Sequence, residues 1–283
     1  MTAALLAGLV DDAGLFPPTA LDMASAVARH RADRAAGEAM LTHRFLCPAS
    51  RIGELRENLS DADRIEVGLI ADEGVADLAR ICDTIASDPR MSLALLEIPT
   101  ARAASVTDVL KVLRELPAGV PAFLEPAKPS GVDEVVDAVR GDDSGRVLGA
   151  KLRCGGVRAE LFPTTGEVAH FIASCTTAGI PFKATAGLHR AVRHTAEPTG
   201  FHHHGYLNLL LATAVAVRGG SEEDVREALE IDDAAVLGSR IAGLGAEAVT
   251  GTRAAMVSYG SCSTSTPLQE AGALVAANRK DDQ

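Results

Sequence analysis

VLGAKLRCGG (147–156) and IPFKATAGLHR (180–190) each carry a short apolar run into a lone lysine, Lys151 in the first and Lys183 in the second. In a strand period the apolar neighbours bury the segment, so each ammonium is expected where its strand meets the following loop. Between them GEVAHFIASCTTAG (166–179) places Val168, Phe171, Ile172 and Cys175 on one face of a helix. A strand, a helix and a second strand in this order form one βαβ unit, which would bring both cations to one rim.

The same alternation runs outward in both directions. Strands are predicted at 5–10, 42–47, 64–70, 91–98, 120–125, 146–153, 180–186 and 253–259. Helical patterns fall between them at 19–36, 50–58, 74–87, 105–115, 131–140 and 165–178, with a longer helical segment over 203–248. Repetition at this pace implies parallel pairing through right-handed crossovers. Eight such units predict an α/β fold, a single-domain (β/α)8 TIM barrel over 1–283 with a helical insertion and lid at 189–250 between the seventh and eighth strands. An open doubly wound sheet is the alternative, but no glycine-rich phosphate fingerprint follows the first strand. The polar end NRKDDQ (278–283) is expected to fray.

Composition narrows the function classes. The 283 residues are 47% hydrophobic and 23% charged, with no tryptophan, so the core is built from aliphatic side chains. A net charge of −11 without a basic stripe excludes nucleic acid as a partner. No apolar run approaches the roughly 18 residues that span a bilayer, and no leader pattern opens the chain, so a cytoplasmic protein without membrane partners is expected. Five scattered cysteines without a CxxC pair fit reduced thiols.

Aligning the strand ends gathers the chemistry. In order they carry Asp11 and Asp12, Cys47, Asp72 and Glu73, Glu97, Glu125, Lys151 with Arg153, Lys183, and Ser261 with Ser263. The C-terminal ends of barrel strands form the active-site face, so Asp12, Glu97, Glu125, Lys151, Lys183 and Ser261 are expected to line one cavity. The structural alternatives are helix caps for Asp72 and Glu73, ion pairs inside the mouth for Glu97, Glu125, Lys151 and Arg153, and a small buried hydrophobe for Cys47. His189, His194, His202, His203 and His204 crowd one segment. Three consecutive histidines cannot aim at one ion from a helix, so a lid rather than a metal site is expected.

Taken in chain order, LVDDAGLFPPTAL (9–21), RFLCPAS (44–50), LLEIP (95–99), FLEP (123–126), AKLRCGG (150–156), FKATAGLHR (182–190) and SYGSCS (258–263) resemble the deoxyribose-phosphate aldolase family of class I aldolases. The resemblance implies a lyase without cofactor or metal, in which Lys151 forms the Schiff base, Lys183 lowers its pKa, and Glu97 stands for a catalytic aspartate, with Asp12 as the other acid–base candidate. Asp11, Cys47, Glu125, Arg153, His189, Arg190, Ser261 and Ser263 would contact the substrate. A lysine with a pKa of about 10.4 is roughly 0.04% neutral at pH 7, and bringing it to about 7 requires roughly 4.6 kcal/mol of differential stabilisation. A second ammonium and a desolvated rim are expected to supply it. Where the family cradles phosphate with Gly-Gly-x-Arg, this chain has Ala186, Gly187, Leu188 and His189, with Arg190 one place late. Arg153 on the lysine strand points instead to a carboxylate on the substrate. The expected partner is thus a small carbonyl compound, with homo-oligomerisation left open. Two other readings compete: a metal-assisted enolase-type lyase using Glu97, Glu125 and Lys151, and a barrel that binds a ligand without catalysis.

Overall fold

A computed structural model describes residues 2–197 and 199–272, so the tail at 278–283 lies outside the described residues. Eight parallel strands close into a barrel: β1 (Val10–Asp12), β2 (Leu41–Pro48), β3 (Ile65–Ile70), β4 (Met91–Pro99), β5 (Ala122–Glu125), β6 (Leu148–Arg153), β7 (Phe182–Thr185) and β10 (Met256–Ser261). Neighbours around the ring follow chain order, and β10 closes it between β7 and β1. The helices on the outside are α1 (Thr2–Leu6), α2 (Met23–Ala36), α3 (Ile52–Glu57), α4 (Leu78–Ala86), α5 (Val106–Glu115), α6 (Val132–Arg140), α7 (Thr165–Ala178), α8 (Tyr206–Val217), α9 (Glu222–Glu230), α10 (Ala234–Ala242) and α11 (Ala246–Ala255). No helix among the described residues is long and apolar enough to cross a membrane.

Local chemistry sets the helix ends. Asp22 and Ser105 accept the first-turn amides of α2 and α5, and Thr164 with Glu167 forms a capping box on α7. Gly37 and Gly179 end α2 and α7 in the left-handed conformation.

Three sequence expectations shift. The first strand is not 5–10: Leu5 and Leu6 belong to α1 and are buried, and Gly8, at φ 55°, turns the chain before β1 starts at Val10. The last strand starts at Met256 rather than Arg253, whose guanidinium instead donates to the carbonyls of Gly8, Met256 and Val257 at 2.9, 2.6 and 2.8 Å. In the insertion after β7 the helices start at Tyr206 rather than at residue 203, and the segment before them has structure of its own. It forms an antiparallel hairpin of β8 (His194–Thr195) and β9 (His202–His203) before α8 begins at Tyr206. From Tyr206 to Ala214 α8 is buried on every side, which makes it core rather than lid.

Inside the barrel, small residues make room for large ones. A Cβ on Gly149 would sit 2.4 Å from the Pro181 carbonyl and 2.7 Å from the Phe123 ring. Gly149→Ala should therefore lower stability in urea by about 2–3 kcal/mol, whereas Gly53→Ala, on an exposed helix position with nothing within 4 Å, should raise it by up to about 1 kcal/mol. Equal destabilisation by the two substitutions would contradict the interior packing.

Candidate active site

Strand alternation decides which side chains meet inside the barrel. From β1, Asp11 points inward and Asp12 outward. Asp11 pairs with Arg44 at 2.7 Å and with Lys183 at 2.5 Å, and accepts from Thr42 and Ser258. Lys183 reaches on to Glu97 at 2.8 Å, Glu97 to Lys151 at 2.6 Å, and Lys151 to Glu125 at 2.7 Å. Glu125 then meets Arg153 at 2.7 Å. A column of alternating charge thus runs from Arg44 near the start of β2 to Arg153 at the end of β6. It holds Arg44, Lys183, Lys151 and Arg153 against Asp11, Glu97 and Glu125, four cations to three carboxylates.

The column sets the protonation states. Burial alone would raise the pKa of Asp11, but Lys183 and Arg44 outweigh it and hold the carboxyl well below the usual range. Glu97 is held low by Lys151 and Lys183, and Glu125 by Lys151 and Arg153, again against burial. For Lys151 burial would favour the neutral amine, yet Glu125 and Glu97 prevail and its pKa rises. The expectation that Lys183 depresses the Lys151 pKa by direct repulsion is therefore not met. The two lysines are register partners on β6 and β7, but Glu97 stands between their ammonium groups. At Glu97 the contacts are short in distance and poorly aligned as hydrogen bonds, as is that between Lys151 and Glu125.

Above the column lies a cavity of about 770 Å³. Lys151, Glu125 and Arg153 form part of its lining, and Arg153 is the most open of them, with 42% of its side chain exposed. Lys183 is wholly buried beneath and does not reach it, and neither do Asp11 and Glu97. Asp12 faces α2, where it pairs with Arg29 and lies 3.2 Å from His30. On β2 Leu46 faces the cavity and Cys47 the helix layer, with the Cys47 thiol pushed up to about 12 by burial. Ser261 also points outward and donates to the Ser263 carbonyl at 2.6 Å, while Ser263 caps the helical turn after it. Arg190 is exposed and off the cavity. Asp72 accepts from the amide and hydroxyl of Ser50, and the helix that follows starts after Asp77, so Asp72 does not cap it.

The histidine cluster resolves with a period of two. His202 bonds with Thr195 on one face, His203 turns into the cavity and stacks on His194 at 5.0 Å, and His204 donates to the Pro163 carbonyl at 2.8 Å. Burial brings the pKa of His204 down to about 4, so it is neutral. Among the described residues no three His, Cys, Asp or Glu side chains group to hold a metal ion.

Sequence reasoning overlooked Cys262, which faces the cavity with Gly260, on the inward side that Ser261 avoids. Its sulfur lies 3.7 Å from Nδ1 of His189, another cavity residue. Burial would raise this thiol, but the His189 contact and Thr19 outweigh it and bring it to about 7. By contrast burial pushes Cys82 up to about 11 and Cys154 and Cys175 higher still. The legible signal was parity: Cys262 is two residues beyond Gly260 and four beyond Ser258, which faces Asp11.

Since thiolate is the reactive form and accumulates as pH rises through the thiol pKa, iodoacetamide should label Cys262 first, half-maximally near pH 7. His189→Ala should move that midpoint upward by one unit or more. Peptide mapping that finds another cysteine labelled first would refute this environment. No family model matches the chain, and neither the curated proteins nor the solved structures contain a match to it.

Proposed function

We propose that the barrel is a class I, Schiff-base-forming aldolase or related carbon–carbon lyase acting on a small anionic carbonyl compound. The observation that carries this reading is Lys151, an amine at the cavity wall flanked by two carboxylates, at 2.6 and 2.7 Å, able to take its proton and return it. Eight-stranded parallel barrels place their chemistry at this end of the strands, which agrees.

Resting Lys151 is an ammonium and must lose a proton before it attacks. The column offers a route. When the carboxylate of a substrate engages Arg153, it draws the guanidinium from Glu125, whose proton affinity then rises. Glu125 takes the proton, and the free Nζ adds to the carbonyl carbon. Glu125 returns that proton to the carbinolamine hydroxyl, which leaves as water and gives the iminium; the iminium accepts the electron pair of the adjacent C–C bond as it breaks and becomes an enamine. Glu125 or Glu97 takes the hydroxyl proton of the departing fragment, which leaves as an aldehyde or ketone. In this scheme Lys183 keeps Glu97 ionised and positioned; it does not act on the amine directly.

Full pairing of both lysines is also what a non-catalytic ligand-binding barrel would show, so trapping must decide. Incubation with small 2-oxo acids and aldehydes plus cyanoborohydride should add mass at Lys151. Lys151→Met should abolish the adduct while leaving three cations against three carboxylates, so the barrel should still fold. Removing a carboxylate that raises the amine pKa must lower that pKa, so Glu125→Gln should shift the trapping profile to lower pH. Failure of every carbonyl compound to trap would leave the binding barrel as the function, and turnover appearing only with added magnesium would favour the enolase-type lyase.

A further inference from the structure

The cavity is far larger than a two- or three-carbon carbonyl compound needs, and its walls differ from its floor. At about 770 Å³ it falls in the range of pockets that enclose drug-sized ligands. Charge is confined to one side, where Lys151, Glu125 and Arg153 stand together. The rest of the lining is largely apolar. Phe162 and Phe201 pack at 5.1 Å, and Phe162 meets the His203 ring edge-on at 4.6 Å. Leu161, Val157 and Phe16 add to the apolar lining. The hairpin supplies Phe201 and His203, so the segment inserted after β7 forms part of the cavity wall.

Charge inventory excludes a phosphate-sized demand at the floor. Lys151 is held by two carboxylates, and Arg153 donates to Glu125 through Nε alone, so its two terminal nitrogens remain for a ligand. Those nitrogens match one carboxylate bidentately. Burial lowers the pKa of His203, which makes it a neutral partner at pH 7. Lys151 and Arg153 sit on the two oxygens of the same Glu125 carboxylate, so the amine and the guanidinium are neighbours in the cavity lining, as a carbonyl next to a carboxylate requires.

We propose that the ligand of this cavity is a 2-oxo acid bearing a bulky apolar substituent, an aryl or branched-alkyl group that lies against Phe162 and Phe201. The carbonyl rests on the Schiff-base reading above; the carboxylate and the apolar group rest on the cavity alone.

Calorimetric titration with propionate, 3-phenylpropionate, 3-phenylpropanamide and inorganic phosphate tests the cavity without carbonyl chemistry. 3-Phenylpropionate should bind about ten-fold or more tighter than propionate, because a phenyl ring leaves water. Phe162→Ala should shrink that ratio to about three-fold. Arg153→Met should weaken the carboxylate about ten-fold without changing the amide. Val157→Asp, at a position 76% exposed where the fold tolerates charge, should weaken 3-phenylpropionate more than phosphate. Trapping with pyruvate and phenylpyruvate then tests the chemistry separately. Tight binding of 3-phenylpropionate without any adduct from phenylpyruvate would uphold this ligand class and overturn the Schiff-base reading. Adducts from pyruvate with no gain from either phenyl compound would do the reverse. Phosphate binding tighter than 3-phenylpropionate would overturn the proposal outright.

Discussion

Seven charged side chains along one axis, the five between Arg44 and Arg153 buried, govern this protein. An isolated ammonium or carboxylate inside a barrel would shed its charge, since desolvation costs several kcal/mol per ion. Here every member touches at least one of opposite sign, from Arg44 to Arg153. Each side chain is thereby fixed in place by its neighbours, and the excess of one cation leaves the open end of the column receptive to an anion. The cavity floor is the upper end of this column, so its chemistry depends on residues that never reach the cavity.

Alternation along the strands divides neighbours into different roles. Asp11 belongs to the column, whereas Asp12 joins β1 to α2 through Arg29 and His30. Leu46 and Cys262 face the cavity, whereas Cys47 and Ser261 do not. One residue of register separates a cavity group from a packing group, since successive side chains point to opposite faces. The hairpin obeys the same rule and gives three adjacent histidines three surroundings.

Apolar walls over a charged floor create a division of labour. The floor fixes orientation through a few directional contacts, while the walls contribute affinity in proportion to the surface they remove from water. Loops after β6 and β7 build those walls, and their geometry is tight. Gly187, left-handed at φ 71°, brings its Cα against Gly155, and a Cβ there would meet the Cys154 carbonyl at 2.7 Å.

The sequence by itself determined the alternation of strands and helices, the parallel barrel they close, and the charges at the strand ends, because apolar periodicity and strand length are local properties. It also put Lys151 and Lys183 on consecutive strands of one βαβ unit, which the structure shows to be register partners. It misplaced the first strand, where Gly8 rather than hydrophobicity set the boundary, and it left the hairpin unassigned because two-residue strands leave no periodicity to detect. Only the tertiary structure decided that Glu97 separates the two lysines, that Lys183 lies under the cavity rather than on it, and that Cys262 faces His189. Those relations depend on side chains from strands far apart in sequence reaching across the barrel axis, and no local pattern encodes how far each one reaches.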